Sequence, residues 1–156
     1  SGVHCERFNI VPYRTEQYYQ YNFWYSQYIA SRQEQLLGLS RLQFCDRGVL
    51  DRMAYGRGAK VSWGVSELEM QSYMDVLTPY SETNDLTLVF LTSPEISYER
   101  RRAPKLNPAF YLNFLSNLYE SYQQLAANCS GVRIVPENMS LDQQVEFSLA
   151  QIREHI

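Results

Sequence analysis

The residues best suited to chemistry form a short motif of one acidic residue, one basic residue and a glycine. Asp46, Arg47 and Gly48 follow the apolar end of residues 42–45 and come directly before helix-like spacing at Val49. In an open parallel α/β sheet, ligands bind beyond the carboxyl ends of the strands, so Asp46 and Arg47 would project into such a site. The alternative is a surface ion pair beside a turn glycine, which would contribute only about 0–1 kcal/mol to stability.

The composition indicates a single domain that spans residues 1–156 and is large enough to bury one core. A net charge of −3 gives no general attraction to nucleic acid or to anionic lipid, so any polyanion would need a local arginine cluster. No apolar run approaches the roughly 18 residues that span a bilayer, and the N-terminus lacks a secretory pattern. We therefore expect a soluble protein of the cytoplasm or an organellar matrix, with no membrane or nucleic-acid partner.

The cysteines favour a reducing compartment. Cys5, Cys45 and Cys129 are odd in number and widely spaced, and no Cys-x-x-Cys pair occurs. This pattern argues against a disulfide framework and against a zinc site.

The hydrophobic pattern predicts helices that alternate with strands. Short buried strands are expected at residues 42–45, 86–91 and 132–135, and residues 86–91 have the continuous apolar character of a strand that is buried on both faces. An extended segment is expected at residues 3–11. Helices are predicted at residues 15–39, as one helix or two, at 49–55, 67–78 and 109–127, and from Pro94 and Ser140 onward.

Local signals mark several helix ends. Ser66 with Glu69 and Ser140 with Gln143 have capping-box spacing, so each serine should begin a helix. Glycines 38, 56 and 58 are expected to end or interrupt helices. The last helix should carry its apolar residues on one face, namely Val145, Leu149 and Ile152. Strands that alternate with helices predict a parallel α/β sheet with right-handed crossovers.

The region 13–28 is rich in tyrosine and also contains Phe23 and Trp24. Its aromatic face could line a site for a flat ligand, or it could pack against the sheet or a partner protein. Packing is the simpler interpretation, because aromatic side chains bury large areas whatever the function.

Four segments, taken in order, resemble parts of the P-loop nucleoside and nucleotide kinases, which include the deoxynucleoside and thymidylate kinases. The resemblance covers about residues 6–152. It rests on the helix around Gln27, the Asp46-Arg47-Gly48 motif, the arginine-bearing stretch 91–102 and the turn 135–140. It implies a three-layer α/β sandwich with a mostly parallel central sheet.

The resemblance also implies roles for individual residues. Phosphoryl transfer needs cations over the migrating phosphoryl group, a magnesium ion and a carboxylate near the accepting oxygen. Asp46 would act near Mg²⁺ or near the substrate phosphate or hydroxyl, and Arg47 would bind an anionic oxygen through its planar fork. Glu6 matches the acidic residue that can serve as general base, and Gln27 matches the glutamine that reads a base.

Arg100, Arg101 and Arg102 match the arginine-bearing lid that covers the phosphates in this family. Three successive residues cannot share one helical face, so one or two of them would reach phosphate. The alternative is an exposed helix end that is stabilised by cations near its C-terminus.

The glycine-rich phosphate loop of the family, G-x-x-x-x-G-K-[ST], has no counterpart in this sequence. The nearest run, residues 56–62, has the wrong spacing and follows a helix-like stretch where a strand should be. We therefore expect the N-terminal strand and loop of the fold to be missing from these residues, which would form the C-terminal portion of a longer domain.

Two functions are consistent with the sequence. The first is a kinase-like phosphotransferase that uses Mg²⁺ and moves the γ-phosphate of ATP to a nucleoside or nucleoside monophosphate. The second is a catalytically inactive kinase-like subunit that binds other proteins through its aromatic-rich helix. The fold alone does not choose between them, because one fold can host many functions.

Overall fold

The computed structural model describes residues 16–39, 43–63, 65–100 and 107–155. Within them, helices flank a pair of parallel strands. In chain order the elements are α1 (Glu16–Leu37), α2 (Val49–Trp63), α3 (Glu67–Leu77) with a short 3-10 turn (Thr78–Tyr80), β1 (Thr87–Phe90), α4 (Pro94–Arg100), α5 (Pro108–Asn128), β2 (Val132–Val135) and α6 (Leu141–His155). The extended segment expected at 3–11 lies outside the described residues.

The predicted long helix is a single helix. α1 runs to Leu37 and ends in a turn at Gly38, as the sequence predicts. The N–H of Leu39 then donates to the carbonyl of Leu36 at 3.0 Å, which closes the last turn.

Helix α2 continues through its two glycines, so the prediction that they interrupt it is wrong. A Cβ atom on Gly56 would lie 3.4 Å from Cε of Met74 in α3. A Cβ atom on Gly58 would lie 2.9 Å from the Cα of Leu118 in α5. The glycines therefore occur where α2 meets a neighbour on each side, and packing outweighs their low helix propensity.

Both predicted capping boxes are confirmed. The N–H of Ser66 donates to Oε2 of Glu69 at 2.9 Å, and the N–H of Glu69 donates to Oγ of Ser66 at 3.2 Å. The same exchange joins Ser140 and Gln143, at 2.8 and 3.3 Å. These bonds satisfy backbone donors that the first turn of each helix leaves without intrahelical partners.

The strands β1 and β2 pair in parallel, with Thr87 opposite Val132 and Phe90 opposite Val135. This pairing and the helix-rich connection between the strands confirm an α/β arrangement with parallel strands. The expected burial of β1 on both faces is wrong, because Phe90 is 60% exposed while Val89 is buried.

The strand predicted at residues 42–45 is also wrong within the described residues. Residues 43–45 have no regular secondary structure, and Phe44 is 75% exposed. Phe44 and Cys45 are therefore not buried against the rest of the molecule, and such burial is what makes a short strand favourable.

The core lies mainly where α2 packs against α3, α5 and the strands. Its buried apolar residues are Ile29, Val49, Leu50, Met53, Ala54, Met70, Tyr73, Met74, Leu77, Val89, Leu125 and Val132. Helix α6 contributes no buried residue, although it contacts β2. Of the apolar face predicted for this helix, Val145 and Leu149 are exposed, and Ile152 is half-buried.

Several chemical features can be described for the same part of the chain. Cys45 and Cys129 are free thiols, and Cys5 lies outside the described residues. The described residues contain no group of three His, Cys, Asp or Glu side chains that could hold a metal ion. None of the helices described is both long and apolar enough to cross a membrane.

Candidate functional site

The turn that contains Asp46 and Arg47 has a constrained backbone. Arg47 has a φ angle of 58°, in the left-handed region that residues other than glycine seldom adopt. The Sγ of Cys45 donates to the carbonyl of Arg47 at 3.6 Å, and the carbonyl of Gly48 accepts from the N–H of Arg52 at 3.1 Å. The turn is thus joined directly to the first turn of α2.

The side chains of Asp46 and Arg47 are both exposed, and in the described part of the chain they form no ion pair with each other. The alternative of a surface ion pair is therefore not what the structure contains. Both groups are accessible to a ligand from solvent.

The same turn packs near the start of β1, so the expectation that Asp46 and Arg47 lie beyond the carboxyl ends of the strands is wrong. A Cβ atom on Gly48 would lie 4.0 Å from Nδ2 of Asn84, in the connection that enters β1. Arg100 is the exposed last residue of α4, a helix that begins after the opposite end of β1. Glu6, Arg101 and Arg102 lie outside the described residues.

A half-buried phenol lies close to this turn. The hydroxyl of Tyr122, on α5, donates to Oδ1 of Asp51 in the first turn of α2. Burial raises the pKa of Tyr122 above its ordinary value of 10.0, and the charge of Asp51 and its hydrogen bond raise that pKa further. The positive charge of the Arg47 guanidinium has the opposite effect and lowers the pKa of Tyr122. Arg47, Asp51 and Tyr122 therefore form one electrostatic cluster.

Arg52, the next residue along α2, is a buried cation that reaches α1. Only 8% of Arg52 is exposed. Its Nε donates to Oγ of Ser26 at 3.3 Å, and its Nη2 donates to the carbonyl of Asn22 at 3.3 Å and also to Asn22 Oδ1. Among the described residues, no carboxylate forms an ion pair with Arg52.

Tyrosine rings from three helices surround the same guanidinium. Its central carbon lies 5.4 Å from the ring centroid of Tyr25, 6.0 Å from that of Tyr55 and 5.8 Å from that of Tyr73. Such cation–π contacts stabilise a desolvated cation where an opposite charge is lacking.

Gln27 lies on the solvent side of α1, beside an exposed aromatic surface. Trp24 and Tyr28 are 58% and 49% exposed, and their rings stack with centroids 6.0 Å apart. The ring of Tyr28 also stacks on that of Tyr25, at 6.2 Å. We call Trp24, Gln27 and Tyr28 the outer α1 surface.

The glycine-containing run at 56–62 lies inside α2. Backbone N–H groups in a helix interior already donate to carbonyls one turn earlier, so they are not available to hold phosphate. This position agrees with the sequence-based view that the run is not a phosphate loop.

A hydrogen bond joins the two segments that follow β1 and β2, just beyond the carboxyl ends of these strands. The backbone N–H of Ser93 donates to Oε1 of Glu137 at 2.9 Å. These residues belong to two of the segments that resemble the kinase family, so the two segments are in contact.

Sequence reasoning missed Asp51, Arg52 and Tyr122. For Arg52 the available signal was helical spacing. Arg52 lies one helical turn after Gly48 and therefore on the same helix face as the end of the motif. Nothing in the sequence paired Asp51 with Tyr122, which is 71 residues away.

Comparison with models of known protein families, with curated proteins and with solved structures gives no match.

Proposed function

We propose that this chain is a nucleoside or nucleotide kinase-like phosphotransferase domain, which moves the γ-phosphate of ATP to a nucleoside or nucleoside monophosphate. In this proposal the parallel strands belong to a three-layer sandwich of the P-loop kinase type. The order of the elements supports it, because the motif, β1, the arginine-bearing helix and β2 follow one another as the resemblance implies.

The observation that carries the proposal is the conformation of Arg47. A non-glycine residue in a sparsely populated backbone region costs on the order of 1–3 kcal/mol, and such residues cluster at functional sites. Arg47 adopts this unfavourable backbone conformation although its side chain is exposed and is not buried by packing. A guanidinium presented in this way is suited to bind a phosphate or carboxylate oxygen through two parallel N–H donors.

Asp46 is the residue that would hold Mg²⁺. Magnesium is usually bound through one or two carboxylates, with waters and substrate phosphates completing the octahedron. The exposed Asp46 carboxylate fits that pattern, since it leaves most coordination positions to phosphate and water. The ion would neutralise charge on the phosphates when bound.

The described residues do not supply a cradle for the ATP phosphates, because residues 56–62 are helical. The proposal therefore places the phosphate loop outside the described residues. Arg100, with Arg101 and Arg102, would add positive charge over the phosphates, and Gln27 would contact the base. Glu6 remains the proposed general base.

Binding is tested first by thermal unfolding of the chain with a nucleoside or nucleotide, with and without Mg²⁺. A ligand that binds only the native state at 100 times its dissociation constant stabilises it by about 2.7 kcal/mol. The proposal expects a higher Tm with at least one nucleoside or nucleotide. No shift at millimolar concentration of any of them would contradict it.

Three variants then separate binding from folding. Arg47→Ala should remove the ligand-dependent shift and lower any turnover by roughly 100-fold or more, because one anion contact is lost. Arg47→Gly should also lose ligand but unfold at a higher temperature, because glycine relieves the strained φ angle. Arg57→Ala, at an exposed position on α2, is the matched control and should bind normally. Wild-type binding by Arg47→Ala would remove Arg47 from the site.

A second candidate function is a scaffold subunit that binds another protein through the outer α1 surface. The observation that favours it is the exposure of Trp24 and Tyr28, because large exposed aromatic residues are enriched at protein interfaces. Tyr28→Glu should then dissociate an assembly seen by size-exclusion chromatography, while Gln35→Glu, exposed on the same helix, should leave it intact. An assembly that stays intact with Tyr28→Glu would contradict this candidate.

A further inference from the structure

We propose that Arg52 is a positioning residue, whose buried guanidinium sets the rotation and register of α1 and thereby the placement of Gln27. The role of Gln27 in ligand binding rests on the proposed function, whereas the positioning of α1 is testable without a ligand. Arg52 makes its contacts where α1, α2 and α3 meet.

The buried face of α1 is unusually polar. From Gln20 onward, where its side chains are described, the buried residues recur at helical spacing, and three of the five are polar, namely Asn22, Ser26 and Gln33; the other two are Ile29 and Ala30. Apolar contacts are not directional, so a helix held only by them can rotate or slide at small cost. Hydrogen bonds require defined distances and angles, and they therefore specify one rotation and one register.

Arg52 provides the directional contacts at the N-terminal half of this face. Its Nε and Nη2 donate to Ser26 and Asn22, one turn apart on α1, and Ser26 Oγ itself donates to the Asn22 carbonyl at 2.9 Å. The planar guanidinium thus holds two adjacent turns at once. A lysine ammonium retains the charge, but it lacks the rigid fork and the flat face that stacks on rings.

The same guanidinium is connected to the outer α1 surface through stacked rings. It lies over Tyr25, whose ring stacks on Tyr21 at 6.0 Å and on Tyr28 at 6.2 Å. Tyr28 in turn stacks on Trp24. Rotation of α1 about its axis would therefore move Gln27 and the exposed rings together.

The test compares Arg52→Lys and Arg52→Met with Arg57→Lys and Arg57→Met, all in a Trp63→Phe background. Trp24 is then the sole tryptophan of the chain, so its near-ultraviolet circular dichroism reports the environment of α1. Far-ultraviolet circular dichroism establishes the temperature range in which each variant is fully folded, and the comparison is made there.

In the folded state, both Arg52 variants should lose the wild-type near-ultraviolet band of Trp24, and both Arg57 variants should keep it. A wild-type band in folded Arg52→Lys and Arg52→Met would overturn the inference. This result does not depend on whether the chain binds nucleosides.

The second measurement is nucleoside affinity by calorimetry. Arg52→Lys should weaken binding about tenfold, which corresponds to about 1.4 kcal/mol. The same substitution in a Gln27→Ala background should cause no further loss, because a residue that acts through Gln27 has nothing left to position. An additional tenfold loss in that background would assign Arg52 a purely structural role. If the wild type binds no nucleoside, the proposed function fails, and the circular dichroism comparison still decides whether Arg52 positions α1.

Discussion

Helix α2 makes two very different interfaces. Against α5 it depends on the absence of a side chain, because Gly58 lets the helix approach to where a Cβ would lie 2.9 Å from the Cα of Leu118. Against α1 it uses one buried polar side chain, because Arg52 donates to Ser26 and Asn22. The first interface is therefore sensitive to added volume, and the second is sensitive to the loss of a polar partner.

Helix α2 is therefore held in place by two different kinds of contact. Close backbone packing gains many small dispersion contacts and tolerates little added volume. A buried polar network is strong only while every member is paired, and it fails as a unit when one is removed. Substitutions at Arg52 and Gly58 should therefore differ in how much they lower the free energy of unfolding. At Arg52 the loss should depend on polarity, and at Gly58 it should depend on side-chain volume.

The largest effect is expected for Arg52→Ala. It removes the cation, empties the space between three tyrosine rings and leaves Asn22 Oδ1 without that donor, so the free energy of unfolding should fall by about 3 kcal/mol. Urea unfolding measures the loss, with Arg57→Ala as the exposed control. A loss below about 1 kcal/mol would show that α1 is held by other contacts.

Gly58→Ala should rank second, at about 1–3 kcal/mol, because the new Cβ forces two backbones apart. Helix propensity acts in the opposite direction, since alanine is favoured over glycine by roughly 0.5–1 kcal/mol in a helix. Gly56→Ala is the matched control, because its Cβ would meet the flexible ends of Met74 and Met70, at 3.4 and 3.6 Å, rather than a backbone. Equal destabilisation by both substitutions in thermal unfolding would refute close packing at Gly58 as the cause.

Gln33→Met tests a second polar contact of α1. The Gln33 amide donates to Oγ1 of Thr83 at 3.0 Å and to Oδ1 of Asn84 at 2.8 Å. Loss of both bonds should cost about 1–2 kcal/mol. Gln35→Met, exposed on the same helix, should change stability by less than about 0.5 kcal/mol. If the two variants unfold alike, Gln33 is not an anchor of α1.

Tyr122→Phe should have the smallest effect at neutral pH, about 1 kcal/mol for one hydrogen bond. Its pH dependence is more informative. The pKa of Tyr122 is raised in the folded state, so the stabilisation is fully present below the unfolded value of 10.0 and is lost as the pH rises above it. Wild type should therefore lose stability between pH 9 and 11 more steeply than Tyr122→Phe does. Parallel curves in urea unfolding at these pH values would contradict a raised pKa of Tyr122 in the folded state.

Much of the fold could be predicted because its signals are local. The capping pairs at Ser66 and Ser140 and the stop at Gly38 need only neighbouring residues, and the structure has all of them. The glycines in α2 could not be interpreted correctly, since their role depends on Met74 and Leu118, which are distant in sequence. Tertiary packing overrides propensity in such cases.

The candidate site shows the same division. The Asp46-Arg47-Gly48 motif was visible because a turn signal directly precedes a helix. Arg52 was not, because a lone arginine on a helix normally faces solvent, and only the fold reveals that three tyrosines and two polar residues of α1 enclose it. The strand expected at residues 42–45 failed because an apolar run forms a strand only where a neighbouring surface buries it.

Helix α6 has a consequence for the dynamics of the molecule. It begins at a well-formed cap, yet none of its residues is fully buried, and Leu141, Val145 and Leu149 are exposed to water. Little free energy is therefore lost when it separates from β2, so its amide protons should exchange with deuterated solvent through local opening long before those of α2. The C-terminal turns of the chain would thus melt and re-form many times during the lifetime of an intact core.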